Sequence, residues 1–309
     1  MLFKASAPGS LMILGEHAVL YGSSALVCAI DKRMTVSVEE RQDQQIHLQS
    51  SLGLYQTTIS ELQLVAPFQF VLATLQHFQS DMQVGCNIVI ESQFSDKVGF
   101  ASSAAVTVAC VKVLTQFLQI EMDDMALIRT ARQIIRAVQG MGSGADVAAC
   151  VLGGMVAFNA DPFSAERLPY QHTLTAVYSG YKTPTTDVVQ QVVARTALYP
   201  ELMHAILHSI GHCATLGIAA ARTKDWRQLG DVMSMQQGLM QALGVSNDLL
   251  NEIIVALNQH AILGAKISGS GLGDCVIALG HVSTWQFKQK EVCLIPVAMS
   301  EQGVMCEKV

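Results

Sequence analysis

The chain has 309 residues, of which 50% are hydrophobic and 14% charged, and it carries a net charge of −6 at pH 7. This composition excludes an intrinsically disordered chain, and the length allows one large domain or two modest ones with a sizeable core. The sequence has no basic cluster and no apolar run of roughly 18 residues, so we expect no nucleic-acid partner and no membrane partner. The first residues lack the long apolar core of a secretory signal.

The cysteine pattern bears on the cellular compartment. Eight cysteines are scattered from Cys28 to Cys306 without a C-x-x-C pair. Such spacing is typical of reduced, mostly buried thiols and not of a disulfide framework. We therefore predict a cytoplasmic location.

The predicted elements alternate between strands and helices along the whole chain. The first part is predicted to hold strands at 2–6, 11–14, 25–30, 34–38 and 45–48, a helix from Pro67 to about Phe78, a strand at 84–90, helices at 102–118, 123–138 and from about 143, and a strand at 155–158. The second part is predicted to hold a strand at 173–178, helices at 185–198, 200–222, 225–242 and 246–260, and strands at 265–267, 274–279 and 292–297. Residues 159–171 form the predicted boundary. This order favours an α+β fold with two lobes and a ligand between them.

The most distinctive segment is the run of small residues at 98–105, which leads into the helix predicted at 102–118. It reads V-G-F-A-S-S-A-A. Gly99 and the small side chains after it let backbone N–H groups approach a bulky anion, and the positive end of the following helix points at that anion. Taken alone, the pattern is more typical of an ordinary helix N-terminus.

Two further glycine-rich segments lie on either side of this one along the chain. In segment 7–22, the polar pair Glu16-His17 interrupts an apolar strand. The pair can bind a hydroxylated substrate or lie at a solvated turn. In segment 266–277, three glycines separate two predicted strands. Glycines there can form a hairpin or allow a ligand to approach the backbone closely.

In this order and at these spacings, the three segments resemble the signature motifs of the GHMP small-molecule kinases, a family that includes galactokinase, homoserine kinase, mevalonate kinase and phosphomevalonate kinase. The resemblance covers 7–279. The L-G-E-H-A-V-L-x-G sequence of the first segment is most similar to mevalonate kinases, whereas G-S-G-x-D-V-A-A at 142–149 and the G-D-C at 273–275 lean toward phosphomevalonate kinases. The resemblance implies a two-lobed fold, with a ribosomal-protein-S5-like N-terminal lobe at 1–165 and a ferredoxin-like C-terminal lobe at 166–309.

The resemblance also implies an activity, namely transfer of the γ-phosphoryl group of ATP, with Mg²⁺, to the hydroxyl of mevalonate or a related hydroxy acid in isoprenoid precursor synthesis. Asp146 and Ser10 fall at the catalytic positions, with Asp146 accepting or orienting the proton of the attacking hydroxyl. The implied ATP contacts are Gly99, Ala101, Ser102, Ser103 and Ala104, and Ser103 also reaches Mg²⁺. The implied substrate contacts are Glu16, His17, Ser143, Lys182, Thr186 and Gly271.

The sequence departs from the family pattern at three positions. Ser10 stands where mevalonate kinases usually carry a lysine, Ile135 stands where they carry a glutamate that binds Mg²⁺, and Ala101 stands where they carry a glycine. Ala101 fits without strain only if its φ is negative.

The first of these departures leaves several interpretations open. Lys97, Lys182 or Arg136 can replace the missing cation, or the enzyme is slow or takes another substrate. Phosphomevalonate kinase is the nearest alternative and would need two or more cations around the extra phosphate. A sugar or homoserine kinase, and a nucleotide-binding module without catalysis, are further alternatives.

Two other patterns are interpreted as structural. His204, His208 and His212 lie on one stripe of a predicted helix without a neighbouring acid, so they indicate an ordinary helix face and not a metal site. The helical hairpins of the second half can equally serve a homodimer interface.

The sequence has no G-x-x-x-x-G-K-[ST] motif, which excludes a simple Walker-type ATPase.

Overall fold

A computed structural model describes residues 1–95, 98–169 and 171–309. The strands are β1 (Leu2–Leu14), β2 (Ser24–Glu40), β3 (Gln45–Ser50), β4 (Gly53–Thr58), β5 (Cys86–Ser92), β6 (Met155–Ala160), β7 (Phe163–Leu168), β8 (Leu174–Tyr178), β9 (Gly264–Ser268), β10 (Cys275–Leu279), β11 (Cys293–Ile295) and β12 (Met305–Lys308). The helices are α1 (Gln69–His77), α2 (Ser102–Phe117), α3 (Asp124–Gln139), α4 (Ala145–Leu152), α5 (Thr185–Leu198), α6 (Pro200–Thr223), α7 (Trp226–Leu243) and α8 (Asp248–Leu257). The predicted α+β class is confirmed.

The larger sheet is built on two long strands, β1 and β2. Its order is β12-β1-β2-β5-β3-β4, and β6 also pairs with β2 and carries β7 on its other side. The β3–β5 pair is parallel, whereas the other pairs are antiparallel. The strands predicted at 2–6 and 11–14 are one continuous strand, and the predicted boundary at 159–171 contains the turn between β6 and β7 and the whole of β7. The last strand of the chain therefore returns to the sheet that the first strand begins.

An irregularity in β1 positions the functional site. The register between β1 and β2 shifts between Pro8 and Ser10. A Cβ on Gly9 would lie 2.8 Å from the carbonyl oxygen of Phe100, and the Ser10 N–H donates to that same oxygen at 3.2 Å. Since a bulge re-aims the side chain that follows it, glycine at position 9 lets the loop before α2 pack on β1 and turns Ser10 toward the site.

The smaller sheet belongs to the second half of the chain. Its order is β11-β8-β10-β9, with antiparallel pairs throughout. Apolar residues of α5 to α8 cover one of its faces, including Ile210, Met240 and Leu250. The other face packs against β1 and β2, where Leu11 and Ile13 join the same buried cluster as Ile277. The two sheets thus bury apolar side chains against each other.

The expectation that no segment is apolar enough to span a bilayer is wrong for helix α6. By length and composition it is long and apolar enough, but half of its most apolar stretch is buried inside the fold. It packs against β2 and α7. This burial is typical of a core helix.

Candidate active site

A cavity of about 410 Å³ lies between the larger sheet with its helices and the loops of the smaller sheet. Most residues that the sequence marked for a role line this cavity: Ser10, Glu16, His17, Gly99, Ala101, Ser102, Ser103, Ala104, Ser143, Asp146, Lys182 and Thr186. They come from four stretches that are far apart in the sequence, namely 7–22, 98–105, 142–149 and 182–186. The fold therefore brings the segments to one place.

Asp146 lies in the first turn of α4, directly after the left-handed Gly144. Its Oδ1 accepts a hydrogen bond from the Ser10 hydroxyl at 2.8 Å. Desolvation raises the pKa of the Asp146 carboxyl, and the negative charge of Glu16 adds to the rise, whereas the Ser10 hydrogen bond and the charge of Lys182 oppose it. A carboxyl with a raised pKa is a better proton acceptor than an ordinary aspartate at neutral pH, provided that it is ionised.

The loop before α2 ends in a left-handed residue. Ala101 has φ 53° and ψ 48°, so it adopts the conformation that strains an alanine. The first N–H groups of a helix have no partner within the helix. At the start of α2 these groups belong to Ala101, Ser102 and Ser103, which line the cavity. This arrangement is suited to an anion.

Asp274 connects this loop to the smaller sheet. The Gly99 N–H donates to Asp274 Oδ1, and a Cβ on Gly99 would lie 2.1 Å from the other carboxylate oxygen. Lys182 forms an ion pair with the same carboxylate at 3.8 Å. The Gly99 N–H, predicted to hold a phosphate, is therefore engaged by a carboxylate, and the N–H groups left for an anion are those of residues 101–103. The sequence indicated Asp274 only as part of a motif.

Glu16 lies in a buried polar cluster. Lys266 donates to one of its carboxylate oxygens and Gln236 to the other, while the Gly15 N–H donates to Gln236 Oε1 at 3.0 Å. Lys266 is 0% and Glu16 2% exposed. Both carboxylate oxygens are thus bound within the protein, so Glu16 contributes to the site mainly by fixing the backbone around it. An isolated lysine inside the apolar strand β9 is the sequence signal that could have indicated this cluster.

His17 presents a neutral imidazole. Its Nε2 donates to the Ser270 carbonyl oxygen at 2.8 Å. Burial lowers the pKa of His17, although the Ser270 hydrogen bond and Glu16 oppose the decrease and Lys266 adds to it. With Nε2 as the donor, Nδ1 of the neutral ring is left as an acceptor, which suits a substrate hydroxyl better than a substrate carboxylate.

Two family models match this chain, one in each half. The family model for the GHMP kinases N terminal domain matches 69–154, and that for the GHMP kinases C terminal domain matches 218–284. A mevalonate kinase from Pyrococcus abyssi is 30% identical over an alignment that covers 100% of this chain and 98% of that relative. This chain belongs to the GHMP kinases.

Two further comparisons extend this result. A mevalonate kinase from Pyrococcus furiosus is 30% identical, with 93% of this chain and 90% of the relative covered. The crystal structure of the Methanococcus jannaschii mevalonate kinase superposes with a TM-score of 0.77 at 22% identity, covering 97% and 98% of the two chains. At that identity the superposition shows that the fold is shared.

Some predicted positions of this GHMP kinase lie elsewhere than expected. Gly271 is buried against Val245, whose carbonyl oxygen would be 2.2 Å from an added Cβ, and it is not among the residues that line the cavity. Lys97, a candidate for the missing cation, lies outside the described residues. Arg136 is exposed on α3 and does not line the cavity, whereas Ile135 does.

The donor set fits Mg·ATP. GHMP kinases use ATP, and the N–H groups of residues 101–103 together with the Ser103 hydroxyl offer the donors and the oxygen that phosphates and Mg²⁺ require. Within residues 1–95, 98–169 and 171–309, no group of three His, Cys, Asp or Glu side chains is arranged to hold a metal alone. A site with few protein ligands suits Mg²⁺, because this ion usually keeps several waters and binds largely through substrate phosphates.

Proposed function

We propose that this GHMP kinase transfers the γ-phosphoryl group of ATP to the hydroxyl of mevalonate. The observation that carries the proposal is that the Asp146 carboxylate, oriented by Ser10, lines the same cavity as the N-terminus of α2. Mevalonate as the acceptor is supported by mevalonate kinases whose alignments cover 100% and 93% of this chain.

Phosphoryl transfer depends almost entirely on positioning and electrostatic stabilisation, and the residues of the cavity have matching roles. The N–H groups at 101–103 bind phosphate oxygens at the positive end of α2. Asp146 accepts the proton of the acceptor hydroxyl, and Ser10 holds its carboxylate in the required orientation. The Ser103 hydroxyl would help to hold Mg²⁺, which would supply positive charge to the phosphates. His17 Nδ1 accepts a hydrogen bond from a second hydroxyl of the substrate.

Phosphomevalonate remains a second candidate acceptor because of one observation. Among the described residues, Arg132 and Lys182 are the lysine and arginine side chains that line the cavity. Two cations are what an extra phosphate requires. Lys182 is already paired with Asp274, which favours the acceptor without that phosphate.

The proposal includes the cytoplasm as the location, a small-molecule acceptor as the partner without nucleic acid or membrane, and a homodimer through the helices of the second half. Sedimentation velocity tests the homodimer, and fractionation of cells tests the location.

The test of the activity is ADP release from Mg·ATP with mevalonate, phosphomevalonate, galactose and homoserine offered in turn. We expect turnover with mevalonate and a loss of at least about 100-fold in kcat in Asp146→Asn. Asp248→Asn is the matched control, because Asp248 is an exposed acid in the first turn of α8. Turnover with phosphomevalonate alone would reject the proposed acceptor, and ATP binding without turnover on any acceptor would favour a non-catalytic binding module.

A further inference from the structure

The cavity combines several acidic groups with few cations. Asp146, Glu16 and Asp274 line it, and the charge of Glu16 is already balanced by the buried Lys266. A bound triphosphate adds further negative charge beside Asp146. Since the transition state of phosphoryl transfer spreads charge over the transferring oxygens, a cation near both the loop before α2 and Asp146 is needed.

Lys182 lines the same cavity as the loop before α2 and Asp146. The Asp274 carboxylate accepts a hydrogen bond from Gly99 and pairs with Lys182 at 3.8 Å, so one carboxylate links the loop before α2 to this ammonium group. The backbone fixes the same geometry, because the Asp274 N–H donates to the Tyr181 carbonyl at 2.7 Å and the Asp274 carbonyl accepts from the Ser179 N–H at 2.8 Å. The Lys182 side chain is 31% exposed, so it is held but accessible from the cavity.

The other cation of the cavity is placed differently. The Arg132 guanidinium lies 5.5 Å from the centre of the Phe163 ring, and its Cδ would be 2.8 Å from a Cβ on Gly144. Lys182 is the cation whose charge lowers the pKa of both Asp146 and Asp274, against the desolvation that raises them. Arg132 has no such effect on either carboxyl.

We propose that Lys182, anchored by Asp274, supplies the positive charge that stabilises the transferring phosphoryl group and the acceptor oxygen beside Asp146. The inference rests on the proposed kinase activity and assigns the charge to a loop of the smaller sheet. From β1, Asp146 receives the neutral hydroxyl of Ser10, 2.8 Å from the carboxylate. The contact of that loop with the loop before α2, through Asp274 and Gly99, therefore completes the site.

The test compares wild type, Lys182→Gln, Lys182→Ala and the double variant Ser10→Lys/Lys182→Gln in steady-state assays with Mg·ATP and mevalonate. We expect Lys182→Gln to lower kcat at least about 100-fold while the KM for ATP changes less than about threefold, as for a group that acts in the transition state. Lysine at position 10 would place a cation next to Asp146, and we expect it to recover at least about tenfold in kcat.

A second measurement does not depend on how the double variant folds. Ethylammonium chloride added to Lys182→Ala is expected to restore activity at least about tenfold over the same concentration of sodium chloride. Lys288→Gln is the matched control, because Lys288 is an exposed lysine paired with Glu252 at 3.9 Å and does not line the cavity.

The outcomes separate this inference from the proposed function. Recovery by Ser10→Lys or by ethylammonium would support the inference. An active wild type with Lys182→Gln within about threefold of it, or a loss that neither treatment reverses, would reject the role of Lys182 and leave the kinase activity standing. A wild type without turnover on mevalonate would reject both.

Discussion

The Ser10 hydroxyl donates a hydrogen bond to Asp146 Oδ1 at 2.8 Å, which joins β1 to the first turn of α4. The two residues are 136 positions apart in the sequence. Their contact depends on the register shift after Pro8 and on the left-handed Gly144, each of which turns one of the two side chains toward the cavity. Asp146 is thus held by a strand of the larger sheet and by a helix that packs on that sheet, independently of the loops that complete the site.

Asp146→Asn is expected to be more stable than wild type in the absence of ligand. Burial raises the pKa of the Asp146 carboxyl, so the folded state binds a proton more readily than the unfolded state does. The destabilisation is therefore absent below the unfolded-state pKa, grows as pH increases, and is complete above the folded-state pKa. Thermal unfolding at pH 8 is expected to show a gain of about 1 kcal/mol for the variant, with little difference near pH 4. An advantage that is the same at both values would contradict this explanation.

Lys266→Met is expected to destabilise the protein strongly. The substitution leaves the buried Glu16 carboxylate without its cation, which costs about 3–5 kcal/mol in comparable sites. In Glu16→Gln/Lys266→Met the charge is gone, and the glutamine can still bond to Gln236. We expect urea unfolding to show that the double variant is more stable than Lys266→Met alone. Additive losses in the double variant would mean that the ion pair is not the source of the effect.

Ala101→Gly is expected to stabilise the protein by about 0.5–1 kcal/mol, because glycine adopts the left-handed conformation of residue 101 without strain. Ala137→Gly, at an exposed position in the last turn of α3, is the matched control and should destabilise by up to roughly 0.5 kcal/mol. Chemical denaturation measures both. A loss of stability in Ala101→Gly would show that its positive φ is tolerated at no cost.

The secondary structure was largely predictable from the sequence. Helix α5 has the predicted bounds of 185–198, and α3 begins as predicted after Asp123, whose side chain accepts from the Ala126 N–H at 2.7 Å. Local periodicity and caps determine such elements. Strands β4, β7 and β12 were missed, since their short and partly polar sequences acquire their structure from pairing with β3, β6 and β1.

The site was predictable only as far as its motifs extend. The glycine-rich segments indicated the loop before α2 and Asp146, but not the contacts between segments. Glu16 and Lys266 are 250 residues apart, and Gly99 and Asp274 are 175 apart. Such contacts depend on how the two sheets pack, and no local pattern encodes that packing. The positive φ of Ala101 is likewise imposed by the loop that packs on β1.

The thiols are expected to differ sharply in reactivity. Burial raises the pKa of Cys28 and Cys86 to about 12, so these thiols are neutral and shielded at pH 8. Cys293 is exposed and Cys306 partly exposed, whereas the other six cysteines are buried. Mass spectrometry after iodoacetamide treatment of the native protein should find label on Cys293 first, on Cys306 more slowly, and elsewhere only after denaturation. Rapid native labelling of Cys28 would contradict the packing of the site.

The most direct measurement of the central claim is a crystal structure with a non-hydrolysable ATP analogue, Mg²⁺ and mevalonate. We expect phosphate oxygens on the N–H groups of residues 101–103, and the acceptor hydroxyl about 3 Å from the Asp146 carboxylate. A triphosphate bound away from the N-terminus of α2, or an acceptor hydroxyl that does not reach Asp146, would contradict the account.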